Sequence, residues 1–247
     1  ESLGVVPADV DADQGEGLFG QLGGVDLVED DLGLEAFGMA LEAVHQLWAL
    51  HAVDVGRVVL AGGVTRHFLC WSGAGFDAEV NMAVAKEPER KRRLGVIAFF
   101  VAVAHTLANY AGTRAVIRVD GERLNRRLMM LVANNIQLYA AWVRIAPSAQ
   151  IDDGWLDIYA LSGRAPLRAA LDAVGHYITR SPRTPNVEFW RCRRIEIVAA
   201  RPMPIHVDGD AIGYTPAVID VLPRALNLLA PVGAPASLFS DGNRGAG

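Results

Sequence analysis

The sequence predicts an α+β fold in which an antiparallel, β-rich body carries peripheral helices. Apolar, β-branched runs of strand length recur between residues 51 and 229, and tight-turn sequences separate them: Ala61-Gly62-Gly63, Asp120-Gly121 and Asp208-Gly209. Asp-Gly between two such runs is a preferred hairpin turn, because both central positions need positive φ. Apolar residues at helical spacing are confined to separate blocks, over 34–50, 94–110 and 166–180.

Taken in order, Leu3-Gly4-Val5-Val6-Pro7 reads as a short buried strand ended by proline, and Leu34, Phe37, Leu41, Val44, Leu47 and Trp48 mark a helix over 34–50. Between them, residues 8–31 are acidic and Gly-rich with no defensible period, and are expected to be the least ordered internal part. Residues 51–60 and 66–71 read as a hairpin around Ala61-Gly62-Gly63. Ser72-Gly73-Ala74-Gly75-Phe76-Asp77-Ala78 follows, then a helix, then the solvated run Lys86 to Arg93. The run 94–110 is the most hydrophobic, but it is shorter than the twenty or so apolar residues a membrane span needs and contains His105 and Asn109, so a core helix is expected. Residues 115–119 and 124–134 form a hairpin over Asp120-Gly121, and 166–180 a helix with proline in its first turn. Runs at 187–198, 205–207, 217–221 and 226–229 complete the sheet, and the Gly/Ala/Ser-rich residues after Pro231 are expected to be a disordered tail.

With 247 residues, 51% of them hydrophobic and 21% charged, the chain is long enough for a substantial core. Cys70 and Cys192 lack metal-ligand spacing and suggest neither a disulfide framework nor a zinc site, which fits a reducing, cytoplasmic setting; no signal-peptide pattern opens the sequence. The net charge of −5 conceals an asymmetry, since residues 1–56 carry twelve acids and no Lys or Arg, leaving +7 on the remainder. A basic body suits phosphates or an anionic membrane surface; nucleic acid would call for clustered Lys/Arg interleaved with aromatics, which is absent.

Two stretches carry chemistry. In Ala146-Pro147-Ser148-Ala149-Gln150-Ile151-Asp152-Asp153-Gly154-Trp155-Leu156-Asp157, adjacent carboxylates and a glycine share one turn, which can aim backbone carbonyls and one Asp at a hard cation. Ordinary turn chemistry before a strand accounts for the same residues. The second is His206-Val207-Asp208-Gly209-Asp210, whose Val-Asp-Gly core repeats that at Asp120; only the flanks distinguish the two turns. Gly73 to Ala78 also matches G-x-G-x-x-A after a strand, but a dinucleotide fingerprint needs a second strand with an acidic residue about twenty positions on, and the charged run stands there instead.

Together, A-P-x-A-x-x-D-D-G-x-L-D and V-D-G-D, followed by Pro216 and by Leu222-Pro223-Arg224-Ala225-Leu226, resemble the C-terminal half of the diacylglycerol kinase-like lipid kinases, the group that includes sphingosine kinases and bacterial lipid kinases. The resemblance covers about residues 50–231 and implies a β-sandwich-like C-terminal domain over 51–231, preceded by a truncated remnant of an α/β nucleotide-binding domain over 1–50 and followed by the tail 232–247. It implies transfer of the ATP γ-phosphate to a lipid hydroxyl, with Asp208 as the base, Asp210 assisting it or contacting metal, and Mg²⁺ held by the Asp153 side chain and the carbonyls of Gln150 and Trp155. The partner implied is a lipid substrate at an anionic membrane surface, the setting cytoplasmic and peripheral to the membrane; a homodimer is compatible. The sequence departs from the family where a G-G-D-G-T phosphate-cradling loop is absent and Asp9, Asp11 and Asp13 stand where phosphates would lie. These departures point to a chain incomplete for activity and keep open a non-catalytic lipid- or partner-binding β-domain; an NAD-dependent dehydrogenase resting on Gly73 to Ala78 is the third reading.

Overall fold

The computed structural model describes residues 47–86, 106, 110–139, 143–163 and 186–240. The expected strand at 3–7, the acidic segment 8–31, the helices over 94–110 and 166–180 except for helical Thr106 and non-helical Tyr110, and most of the helix over 34–50 lie outside the described residues.

One antiparallel sheet dominates. Its strands are β1 (Trp48–Leu60), β2 (Thr65–Phe68), β3 (Trp71–Gly75), β4 (Thr113–Val119), β5 (Glu122–Asn134), β8 (Leu156–Ser162), β9 (Val187–Cys192), β10 (Arg194–Ala199), β11 (Pro204–Val207), β12 (Asp210–Tyr214) and β13 (Ala217–Pro231). A small separate ladder pairs β6 (Leu138–Tyr139) with β7 (Val143–Arg144), and α1 (Phe76–Lys86) follows β3. The strands run in the order β12-β11-β3-β5-β4-β10-β13-β1-β2. Strand β5 is the hub: its first half pairs with β4, and its second half pairs with β3 along one edge and with β8 along the other. This is the α+β, antiparallel architecture expected, with alternation placing Val58, Ile117, Leu131, Ile195, Ile205 and Ile219 in one buried cluster.

Three local expectations are corrected. The strand β1 begins at Trp48, not after Leu50, because β13 extends to Pro231 and offers a partner along its whole length, Trp48 pairing with Pro231 and Leu50 with Leu229. Packing across the sheet thus overrides the helical spacing at 48–50. The run 217–231 is one strand despite Pro223: β10 pairs only with its first residues, so proline sits where no neighbour needs its N–H. Arg224 there adopts φ +51, opposite the register shift between Val53 and Val55. Finally, residues 232–240, expected in the disordered tail, fold back on the sheet. Phe239 is buried with Val53 and Ala230 and stacks on His51 at a centroid distance of 4.0 Å.

Candidate functional site

The two Val-Asp-Gly turns are built alike. Asp120 and Asp208 both have φ +46, and the glycines after them have φ +93 and +96, so each turn needs a residue tolerant of positive φ followed by glycine. Each aspartate then uses its carboxylate to close a neighbouring chain reversal. Asp208 Oδ2 accepts the Leu69 N–H at 2.8 Å, and its Oδ1 accepts those of Cys70 at 3.0 Å and Trp71 at 2.9 Å. Asp120 accepts from Arg193 and Arg194 N–H at 2.8 to 3.2 Å in the same way. Of roughly four lone-pair directions on the Asp208 carboxylate, three are therefore engaged. Asp210, at the start of β12 and opposite Val207 in the ladder, is exposed, and its side chain has no hydrogen-bond or ion-pair partner among the described residues.

Beneath the Asp208 turn lies a buried polar network. His206 is fully buried; its Nε2 donates to Asp77 Oδ2 at 2.5 Å, and its Nδ1 accepts the Gly209 N–H at 3.2 Å. This pair of bonds fixes the tautomer with the proton on Nε2. Asp77, the second residue of α1, also accepts from the Tyr139 hydroxyl. Burial, then the Asp77 charge, push the Tyr139 hydroxyl well above its usual range, so it remains a donor. The network explains the glycines that imitate a dinucleotide fingerprint. A Cβ at Gly73 would lie 2.1 Å from Asp77 Oδ2 and 2.2 Å from His206 Nε2, and one at Gly75, with φ +87, would lie 2.4 Å from the Met129 carbonyl oxygen. These glycines make room for the Asp77–His206 pair and for the approach of β5.

The acidic loop before β8 is organised by a residue the sequence reading passed over, Asp54 in β1. Fully buried, it accepts the Gly154 N–H at 2.5 Å and the Arg224 N–H at 2.7 Å. Burial raises the Asp54 carboxyl above the ordinary carboxylate range, against the pull of those two N–H groups. Asp152 is consumed structurally, accepting from the backbone N–H and the hydroxyl of Ser240. Asp153 accepts the Trp155 N–H at 3.0 Å and pairs with the Arg191 guanidinium. Burial nonetheless pushes its carboxyl up to about 6, the Arg191 charge opposing and Asp157 and Asp54 adding to the rise. Gln150 turns its side-chain amide to the Phe239 carbonyl at 2.9 Å. The Trp155 ring carries the Arg193 guanidinium at 4.6 Å from its centroid.

Among the described residues, no three His, Cys, Asp or Glu side chains come together to hold a metal. The donor chemistry of the loop still fits a hard cation: Asp153 is a desolvated carboxylate with a cation, Arg191, already against it, and Asp157 Oδ2 is buried without a hydrogen-bond partner.

The structure ties this loop to the Asp208 turn. The Asn135 side chain donates at 3.0 Å both to the Asp54 carbonyl and to the Leu69 carbonyl, and its backbone N–H reaches the Cys70 carbonyl at 2.9 Å. Asp54 and Asn135 are thus the residues that sequence reasoning missed. The only signals were a lone acid in an apolar strand and an Asn-Asn pair ending another.

Comparison with known proteins agrees with this architecture. The family model described as the YegS C-terminal NAD kinase beta sandwich-like domain matches residues 71–230. Curated relatives include a diacylglycerol kinase of Staphylococcus carnosus, 22% identical over 77% of this chain and 61% of that protein. Another, of Chromohalobacter salexigens, is named “Probable lipid kinase YegS-like” and is 26% identical over 86% of this chain and 64% of its own. An uncharacterized protein of Synechocystis is 28% identical over 66% of this chain and 39% of that protein. The chain therefore spans less than two thirds of the length of these relatives. A solved structure described as “a putative diacylglycerol kinase from Bacillus anthracis str. Sterne” shares the fold, with a TM-score of 0.55, 22% identity, and coverage of 72% of this chain and 56% of that one.

Proposed function

The chain belongs to the YegS C-terminal NAD kinase beta sandwich-like domain family, and from that premise we propose that it is the β-domain of an ATP-dependent lipid kinase, one that transfers the γ-phosphate to the hydroxyl of diacylglycerol or a similar lipid alcohol. The observation that carries this reading is the division of labour at the V-D-G-D turn, where one carboxylate is spent on the backbone and a second stands free beside it.

In-line phosphoryl transfer asks the protein to position two reactants, offset phosphate charge and accept the hydroxyl proton. Asp208, holding three backbone N–H groups, fixes the turn against Leu69 to Trp71. Asp210, exposed and unpaired among the described residues, is the carboxylate free to take the proton. The roles expected from the sequence, Asp208 first and Asp210 second, are thereby exchanged. His206 holds the Gly209 N–H between the two carboxylates and so sets their relative orientation. In the acidic loop, the Asp153 carboxylate and the carbonyls of Gln150 and Trp155 would hold Mg²⁺, with Arg191 giving up its place on Asp153. Bound there, the ion would orient substrate and offset its negative charge. The lipid is met at an anionic membrane surface, with the protein peripheral to it; among the described residues no helix is long and apolar enough to cross a membrane.

A second reading, a lipid- or partner-binding β-domain without catalysis, is favoured by Asp9, Asp11 and Asp13, acids that would repel phosphates and that lie outside the described residues. Radiolabelled ATP with mixed lipid vesicles, assayed on this chain and on a form joined to a complete nucleotide-binding domain, separates the two. Labelled lipid from the joined form, lost in Asp210→Asn, supports the kinase. No label from either form, with vesicle binding retained, supports the binding domain.

A further inference from the structure

Several arginines of the sheet carry an ion pair. Arg57 and Arg194 meet Asp220, Arg118 meets Glu196, Arg126 meets Glu188, and Arg191 meets Asp153. Among the described residues Arg123 and Arg224 carry none, nor do Arg114 and Arg127. Arg114 and Arg127 stand directly opposite each other in the β4–β5 ladder, as Arg118 and Arg123 do, but whereas Arg118 is paired with Glu196, among the described residues neither Arg114 nor Arg127 has a side-chain hydrogen-bond or ion-pair partner. Like charges directly opposite in an antiparallel pair oppose sheet formation. In addition, the Arg127 Nε is buried with no acceptor, a group that normally finds one. Folding alone gains nothing from this arrangement.

Both side chains border an open groove of about 660 Å³ on the sheet surface, lined also by Val116, Asn125, Val198 and Ala200. Val198 is 45% exposed and supplies an apolar wall beside the two guanidinium groups. A guanidinium presents paired N–H donors whose spacing matches two oxygens of one phosphate, and the Asn125 amide adds a neutral donor. The volume is that of a small-ligand site. The groove is remote from the carboxylate turn: it meets β5 at Asn125 to Arg127, whereas Trp71 and Ser72, next to that turn, pair with Asn134 and Ala133 at the other end of the strand.

We infer that the Arg114–Arg127 groove is a binding site for a phosphate ester carrying an apolar portion, the phosphate bridging the two opposed guanidinium groups and so removing their repulsion. A lipid headgroup and a soluble phosphate ester share this chemistry, and the test has an arm for each. Calorimetric titration with glycerol phosphate and inorganic phosphate probes the soluble source; flotation with phosphatidylglycerol-containing against pure phosphatidylcholine vesicles probes the headgroup. Binding is expected in at least one arm, weakening with added salt, and about tenfold or more weaker in Arg114→Gln/Arg127→Gln, since charge-assisted bonds are lost. Arg118→Gln, which removes a guanidinium already neutralised by Glu196, is expected to bind as the wild type. Melting of the double variant reads out folding, and because the like-charge pair is gone it should not fall. Absence of binding in both arms, undiminished binding in the double variant, or an equal loss in Arg118→Gln would overturn the site. So would a double variant that melts several degrees lower, because the pair would then serve the fold.

Discussion

Replacing the two look-alike aspartates and their free neighbour one at a time distinguishes anchoring from chemistry. In Asp208→Asn the remaining side-chain oxygen can keep the Cys70 and Trp71 N–H groups, now as neutral bonds, while the new amide nitrogen faces the Leu69 N–H, formerly held at 2.8 Å. One charge-assisted bond becomes a donor–donor contact and two are weakened, a loss of about 2 kcal/mol. For a domain of this size that corresponds to a melting temperature lower by roughly 4–8 °C. At Asp120 the second oxygen makes only a 3.2 Å bond, to an Arg193 N–H that the first oxygen already shares at 3.1 Å. Asp120→Asn should therefore cost less, about 1 kcal/mol. Asp210→Asn, at an exposed position with no partner among the described residues, should stay within about 0.5 kcal/mol. Phosphorylation by a form with a complete nucleotide domain should fall about 10²- to 10⁴-fold in Asp210→Asn, the usual cost of a lost general base, and in the other two only as far as folding is impaired. Differential scanning calorimetry at pH 7 gives the stabilities, and a radiolabelled lipid assay below the lowest melting temperature gives the rates. If Asp208→Asn melted with the wild type, or Asp210→Asn kept its rate, the division of roles between these carboxylates would be wrong.

Three further outcomes follow from the packing and titration of the same region. Gly73→Ala, whose methyl would sit 2.1 Å from Asp77 Oδ2, should destabilise by about 1–3 kcal/mol through overpacking and shift the His206 ring ¹⁵N resonances. Phe239→Ala should cost about 3 kcal/mol and raise hydrogen exchange at Ile151 and Gly154, since the segment it anchors supplies the Leu238 carbonyl to Ile151. Because burial holds the Asp153 carboxyl at about 6, above its unfolded value, its contribution to stability is full below about pH 4 and is lost as pH rises through 6. Chemical denaturation across pH 4–7 should show a steeper decline in the wild type than in Asp153→Asn, where the raised Asp54 and Asp157 carboxyls still contribute, and Mg²⁺ should restore stability above pH 6 in the wild type alone.

Much of the fold was legible because the sheet is local in its logic. The hairpins at 120–121 and 208–209 are set by two-residue turns and that at 61–63 by its glycine pair, and alternation carries the rest. Where legibility failed, a distant partner decided the outcome. Nothing within Trp48 to Leu50 opposes a helix; what makes them strand is the far end of β13, about 180 residues away in sequence. The same holds for Phe239, whose burial depends on His51 and Val53. At the site, residue types were readable and their employment was not. Asp153 and Asp208 stand out in sequence as carboxylates beside glycine, but that Arg191 reaches one and three backbone N–H groups the other depends on which strands lie alongside.

Asn135 shows why the two carboxylate-bearing elements should behave as one unit. Its single amide spans the Asp54 and Leu69 carbonyls, while Asp54 holds Gly154 of the acidic loop and Asp208 holds the Leu69 N–H of the reversal. The chain of contacts from Gly154 through Asp54, Asn135 and Leu69 to Asp208 runs through backbone groups and short Asp and Asn side chains, so little rotamer freedom is available to absorb a displacement at either end. A cation drawing Asp153 away from Arg191 would pull on Gly154, and the strain would be borne by buried hydrogen bonds rather than by solvent. The Asn135 Oδ1, buried without a donor, is the one slack point in this chain. Asn135→Asp would make that orphan oxygen part of a carboxylate facing two carbonyls, with no donor to offset the charge. It should therefore loosen the acidic loop and the Asp208 turn together, seen as a joint rise in hydrogen exchange at Gly154 and Trp71; exchange rising at one alone would show that the two elements are independent.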